Sequence, residues 1–144
     1  MIDIENKIYD TLRTAILAEY PSVTLYAEYV PVSAAFPCVF ITEDGNATLT
    51  QTAVDNEENH ARITYTINVY TNNESGRKTL AKNIADLIDG VMIGLKFSRS
   101  MMQKVPNIDD SIYRITMRYT AVVGKPVYSG GGDTETFRYQ IYKS

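Results

Sequence analysis

The sequence predicts an α+β protein: a mixed, mostly antiparallel sheet of about six strands with two helices packed on one side. Three observations carry that expectation. Ala61–Thr71 (ARITYTINVYT) and Tyr113–Val123 (YRITMRYTAVV) alternate apolar and polar residues, the period of a strand with one buried face. Asp3 to about Glu19, and a second stretch that starts at Ser75, instead repeat apolar residues every three or four positions, the period of an amphipathic helix. Pro, Gly and Asn punctuate the joints between these pieces.

In the first helix Ile4, Ile8, Leu12, Ala15 and Ile16 form the apolar stripe, with Glu5, Lys7, Arg13 and Thr14 off it. Asp3 suits the N-cap, because its carboxylate accepts a free backbone N–H, and Pro21 stops the pattern. Val23–Val30 alternates loosely, with Val23, Leu25, Ala27 and Tyr29 on one side, and ends at Pro31. Cys38–Thr42 is continuously apolar up to its last residue, which marks a strand buried on both faces. Glu43–Asn59 (EDGNATLTQTAVDNEEN) carries five acids and no Lys or Arg. Residues 44–59 are expected to form a loop arm, either solvated or projecting to order against another subunit; Ala47–Val54 tolerates strand geometry and offers a hairpin extension.

On Ala61–Thr71, Ile63, Tyr65, Ile67 and Val69 point to a core; Arg62, Thr64, Thr66, Asn68 and Tyr70 take the other face. Asn72-Asn73 turns the chain, and Ser75 is the expected cap of the second helix. Its stripe is Leu80, Ile84, Leu87, Ile88 and Val91, and Gly90 and Gly94 are expected to end it. Lys96–Val105 alternates weakly and leads through Pro106, Asn107 and the acidic pair Asp109-Asp110 into Tyr113–Val123. There Tyr113, Ile115, Met117, Tyr119, Ala121 and Val123 share the core face, and Arg114, Thr116, Arg118, Thr120 and Val122 the other. Gly124 and Pro126 interrupt the strand, and a flexible glycine turn at 129–133 precedes a last strand, Thr134–Lys143. That strand, with Phe137, Tyr139 and Ile141 on one face, either pairs back on Tyr113–Val123 or completes a neighbour's sheet.

A chain of 144 residues with 44% hydrophobic content is expected to form one domain, 1–144. Seventeen acids against fourteen bases give a net charge of −3, which argues against a binder of nucleic acid through a basic surface. Eleven tyrosines suit strands and contact surfaces alike. The lone Cys38 rules out an internal disulfide and fits a reducing compartment, as a small core residue rather than a reactive thiol. No apolar run approaches the ~20 residues of a membrane span, and MIDIENK lacks the regions of a signal peptide, so a soluble intracellular protein is expected.

Catalytic chemistry finds no constellation. His60 is the one histidine and stands at the foot of the acidic loop with no nucleophile motif beside it; zinc would need further Cys or His ligands. Asp109 and Asp110 read as a capped turn, and Asp55, Glu57 and Glu58 lack the spacing of a calcium loop. The C-terminal glycines precede neither a helix nor a Lys, so they form no phosphate loop. The expectation is therefore no enzyme, no cofactor and no metal.

Three phrases carry a family resemblance: FPCVFITEDGN at Phe36–Asn46, INVYTNN at Ile67–Asn73, and FSRSMMQKVPNIDDSIYRITMRYTAVV at Phe97–Val123. In order and texture the chain resembles the tail terminator (tail-completion) proteins of long-tailed, non-contractile bacteriophages and prophages. The resemblance implies a subunit of a homo-oligomeric ring, a hexamer, at the head-proximal end of the virion tail, assembled in the bacterial host cytoplasm. Such a ring caps the tail tube, ends polymerisation of the tube protein and joins the head-completion or connector protein. DNA passes through its lumen without specific binding, and no membrane is involved. By position, Asp44–Asn59 corresponds to the projecting loop and Tyr113–Val123 to the strand beside the inter-subunit seam. The candidate interface residues are Asp44, Asp55, Glu57, Glu58, Arg62, Arg114, Arg118 and Tyr119. Another connector ring protein, or a small ligand-binding α+β domain, are the alternatives.

Overall fold

The structure is a computed structural model that describes residues 3–27, 35–48, 60–73, 75–106, 111–129 and 136–143, with the backbone alone at 48, 125–129 and 136–143. In chain order the elements are α1 (Glu5–Glu19), β1 (Thr24–Ala27), β2 (Cys38–Thr48), β3 (His60–Thr71), α2 (Arg77–Gly94), β4 (Ser98–Lys104), β5 (Tyr113–Ser129) and β6 (Thr136–Lys143). The strands form one six-stranded sheet in the order β1-β2-β3-β5-β4, with β6 also on β5. The β1–β2 pair is parallel and the other pairs are antiparallel, so the expected α+β architecture holds.

The two alternating stretches are central neighbours. β3 pairs with β5 from Thr71↔Tyr113 to His60↔Gly124 without a break in register. That register puts Ile63, Tyr65, Ile67 and Val69 beside Ala121, Tyr119, Met117 and Ile115, all buried in one cluster. Each such side chain contributes roughly 1.5–3 kcal/mol before conformational entropy is set against it. Ile8, Leu12 and Ile16 of α1 and Ile84, Ile88 and Met92 of α2 close the same cluster, so both helices cover one face of the sheet. α2 lies over β3, β5 and β4, with α1 beside it; Tyr9 of α1 donates its hydroxyl to the Leu25 carbonyl in β1.

The helices begin differently from expectation. Asp3 does accept the Glu5 N–H at 3.1 Å, but the cap position itself belongs to Ile4, which is buried. Ser75 is not the cap of α2; Gly76 is, with φ +78°, a conformation that costs a side chain energy and glycine none. Along α2 the buried stripe is Ala81, Ile84, Ala85, Ile88 and Met92, while Leu80, Leu87 and Val91 pack at its margin. The small alanines let the helix axis approach the sheet, which turns the larger leucines toward the flanks. Gly90 lies within the helix, and Gly94 is its last residue, as expected. It closes at Lys96 (φ 70°), where the Lys96 N–H bonds the Ile93 carbonyl and the Phe97 N–H the Met92 carbonyl. This closure aims Phe97 into the core, edge-on to Tyr65 at 5.8 Å.

Two strands run further than their sequences suggest. β2 continues through Glu43, Asp44 and Gly45 to Thr48, with a bulge between Glu43 and Gly45 that absorbs the turn-like residues. The expected loop at 44–59 is therefore strand over Asp44–Thr48, and residues 49–59 lie outside the described ones. His60 accordingly opens β3, opposite Gly124, and is no loop residue. β5 does not stop at Gly124 and Pro126; a second register shift between Gly124 and Val127 carries the chain past both. The last strand pairs back: β6 takes Ala121–Ser129 on the side of β5 where β4 takes Ile115–Thr120. The two share that flank end to end, and beyond Gly124 β5 and β6 continue as a ribbon past the start of β3. Val30–Ala34, Asn107–Asp110 and most of the glycine turn lie outside the described residues.

Candidate functional site: the helix-free face of the sheet

The even-numbered residues of β3 and β5 meet in cross-strand rows on the face without helices. From one end the rows are Tyr70/Arg114, Asn68/Thr116, Thr66/Arg118, Thr64/Thr120 and Arg62/Val122. The face divides into an engaged half and an open half.

At the engaged end, Tyr26 stacks on Phe40 at 4.9 Å, and Phe40 meets Tyr70 edge-on at 5.2 Å. The Arg114 guanidinium lies 5.4 Å over the Tyr70 ring and donates from Nε to the Asn68 side-chain oxygen at 3.1 Å. The Thr116 hydroxyl donates to the same oxygen at 2.6 Å, and Thr116 is buried, 7% exposed. A half-buried amide with both a hydroxyl and a guanidinium on it fixes the register of β3 against β5 as well as the rotamer of Arg114. Burial pushes the Tyr70 phenol above its ordinary range, and the nearby Arg114 charge offsets part of that. Cys38, opposite Tyr70, is fully buried, and burial pushes its thiol up to about 12, so it is a packing residue with little thiolate at neutral pH.

At the open half, Asp44, Gly45, Thr64, Thr66 and Arg118 line a shallow depression of about 510 Å3. The β2 bulge places Asp44 there, where its carboxylate accepts the Thr66 hydroxyl. Thr64 and Thr120 share a hydroxyl–hydroxyl contact at 3.4 Å. Arg118 and Arg62 are exposed, and among the described residues no hydrogen bond or ion pair engages either guanidinium.

The predicted interface residues thus separate. Asp44, Arg62, Arg114 and Arg118 do share one face, but Arg114 is held by its own subunit. Asp55, Glu57 and Glu58 lie outside the described residues. Tyr119 is a correction: at 0% exposure it faces the helices and cannot touch a neighbour. Its hydroxyl donates to Asp89 of α2 at 2.7 Å, and Asp89 pairs with Arg99 of β4 at 3.3 Å. Burial first, then that hydrogen bond, pushes the Tyr119 phenol well above its usual range. The odd-numbered register already placed Tyr119 inside; its polar tip made it look like a contact residue. Asn68 was missed, although an Asn inside a strand of β-branched and aromatic residues is itself a signal that the amide has partners.

Among the described residues no group of three His, Cys, Asp or Glu side chains converges as a metal site requires, and no helix is long and apolar enough to cross a membrane. What the face offers chemically is contact: two exposed guanidinium forks that no described residue engages, a carboxylate and a row of hydroxyls on a rigid sheet.

No family model matches the chain, and no curated protein matches it. Among solved structures, a protein whose name states no function superposes with a TM-score of 0.51 at 12% identity. The match covers 78% of this chain and 92% of that one. At that identity the likeness speaks for the fold alone.

Proposed function

We propose that this chain is a structural assembly subunit, a tail terminator of a long-tailed, non-contractile bacteriophage. It forms a homo-oligomeric ring, a hexamer, that caps the finished tail tube, ends tube polymerisation and joins the head-completion protein. The observation that carries the reading is the open half of the helix-free face, where Arg62 and Arg118 are exposed on a sheet built from two long strands and no described residue pairs with either guanidinium. A neighbouring subunit or the tube protein would supply carboxylates to these forks, and Arg is enriched where proteins meet. The phrases Phe36–Asn46, Ile67–Asn73 and Phe97–Val123 supply the family, and the α+β sheet agrees with what that resemblance implies. A net charge of −3 suits a conduit that lets DNA pass without specific binding. On this reading the protein is no enzyme; it resides in the virion, at the head-proximal end of the tail, after assembly in the host cytoplasm.

The test is removal of the gene from the phage that carries it, followed by electron microscopy of the lysate. Overlong tails without heads are the expected result. Tails of normal length beside unjoined heads would assign the chain to a stopper or joining ring instead. A protein that stays monomeric in the presence of purified tail tubes would overturn the ring reading altogether.

A further inference from the structure

A second polar cluster lies under the helices, in the corner where α2 meets β4 and β5, and plays no part in the face described above. Asp89 of α2 stands at its centre. One carboxylate oxygen accepts the Tyr119 hydroxyl of β5 at 2.7 Å, and the other pairs with Nη1 of Arg99 on β4 at 3.3 Å. These contacts tie the second half of α2 to both strands beneath it. The same Arg99 nitrogen also lies 3.9 Å from the sulfur of Met102, three residues along β4.

That last contact is a product of the β4 bulge. Residues three apart on a regular strand point to opposite faces. The register shift between Arg99 and Met101 inserts one residue, so Arg99 stands opposite Tyr119 and Met102 opposite Met117, both on the helix side. Met101 goes to the other face, opposite Arg118. Three methionines therefore share the corner. Met92 and Met117 are fully buried, whereas Met102 is half-buried and lines the groove between α2 and the β4–β5 pair.

A thioether takes up an oxygen atom from peroxides under mild conditions, and it does so first where an oxidant reaches it. A thioether sulfur is a weak acceptor, so Arg99 favours the carboxylate; a sulfoxide oxygen is polar and competes for the same donor. We propose that Met102 is a peroxide-oxidation site and that Arg99 receives the new oxygen, which releases Asp89 and loosens α2 from β4. In the step, a sulfur lone pair attacks one oxygen of hydrogen peroxide, and the S–O bond forms as the O–O bond breaks. Sulfur is oxidised to the sulfoxide. The departing hydroxide takes the proton of the transferred oxygen and leaves as water. The guanidinium already faces that sulfur, so the new oxygen turns a loose contact into a charge-assisted hydrogen bond. Among the described residues Asp89 then keeps the Tyr119 hydroxyl alone. The Arg99 and Asp89 side chains are 43% and 25% exposed, so solvent screens the pair and its loss costs little. This inference stands on the covered corner and is independent of the assembly reading.

The experiment treats folded, full-length protein with dilute hydrogen peroxide at neutral pH and locates the oxygen by peptide mass spectrometry. Met102 is expected to react at least ~10-fold faster than Met92 or Met117, a difference that disappears in urea. Every further chain carries Met101→Leu, so that the neighbouring sulfur does not contribute. Oxidation at Met102 should then lower the melting temperature by about 3 °C, and a methionine sulfoxide reductase should restore it. Two variants separate release of Asp89 from loss of packing. Met102→Leu should show no fall on peroxide treatment. Asp89→Asn, in which the charge pair is already gone, should show less than half of it; Arg99→Gln gives the same reading from the other partner if Asp89→Asn does not fold. Met102 reacting no faster than the buried methionines, an oxidised protein with an unchanged melting temperature, or an equal fall without the Asp89–Arg99 pair would each overturn the proposal.

Discussion

Arg114 and Arg118 are two rows apart on the same strand face, yet the structure assigns them opposite consequences on charge reversal. Arg114 donates to Asn68 at 3.1 Å and lies 5.4 Å over Tyr70. Arg114→Glu forfeits a hydrogen bond worth about 1 kcal/mol and a cation–π contact worth roughly 0.5–1 kcal/mol. The new carboxylate would also face the Asn68 oxygen that already accepts from Thr116. A loss of about 2 kcal/mol follows, or roughly 6–8 °C in melting temperature for a chain of this length. Arg118 is exposed and engages no described partner, so Arg118→Glu should move subunit stability by no more than about 0.5 kcal/mol, with a slight loss from repulsion by Asp44. Assembly should respond in the reverse sense, Arg118→Glu lowering the assembled fraction more than Arg114→Glu does at matched folded concentration.

The assay must keep folding and association apart, because association stabilises whatever it binds. Urea unfolding of dilute, monomeric protein reads the first quantity; light scattering across a concentration series reads the second. Arg114→Lys is an informative control, since it keeps the charge and loses the planar fork, and should recover part of the stability. Equal destabilisation by Arg114→Glu and Arg118→Glu would refute the division of the face. So would an Arg118→Glu protein that assembles with wild-type affinity.

Two further outcomes follow from the buried groups. Tyr119→Phe removes the donor to Asp89 and should cost about 1–2 kcal/mol in urea with no change in particle mass; a mass change without a stability loss would return Tyr119 to the interface. Burial, with Glu43 beside Tyr65 and the Asp89 hydrogen bond on Tyr119 adding to it, raises both phenols above their ordinary value of 10.0, and burial takes Cys38 from 9.0 to about 12. All three are raised in the fold, so their contribution is complete below the unfolded values and disappears as pH rises through them. Between pH 8 and 11 the thiol and then the two phenols should therefore lower the urea midpoint progressively. Urea midpoints that stay level from pH 8 to 11, or tyrosine absorbance that titrates in one step near 10, would contradict this.

The parts legible in the sequence are those set by local period. Alternation assigned every core residue of β3 and β5 named from it, because a one-residue slip would have exchanged whole faces. The extension of β2 was not legible. Glu43-Asp44-Gly45-Asn46 has the composition of a turn, and only pairing with Ile63–Tyr65 of β3 holds it as strand. Pro126 likewise reads as a terminator, yet it falls in the register shift between Gly124 and Val127, where no ladder hydrogen bond is required of it. In α2 the count of large apolar residues favoured Leu80, Leu87 and Val91, whereas close approach to the sheet selected Ala81 and Ala85. For the candidate site, the period gave the face but not its state. Whether a guanidinium on it is held or free depends on which residue stands across the strand, and that is a property of register.

Register also explains why the helix-free face is held at one end and open at the other. Near Tyr113 the face has a third strand pair beside it: β1 brings Tyr26 onto Phe40, Phe40 reaches Tyr70, and Tyr70 carries Arg114. β1 has only four residues, and its partners on β2 end at Ile41. Past that point the described residues add no further member to the aromatic chain, and β2 bulges at Asp44. Among the described residues, the side chains of the next rows, Thr66/Arg118 to Arg62/Val122, therefore lack the layer that immobilises Arg114. A short edge strand thus leaves a long central pair half covered, and the uncovered half lies toward the end of β3 from which the acidic segment departs. If Arg118 and Arg62 meet a neighbour, they meet it on the same uncovered half of the face. One lateral contact then engages both guanidinium groups, and Arg118→Glu combined with Arg62→Glu should lower assembly by less than the product of their separate effects. Fully multiplicative losses would place them in two independent interfaces.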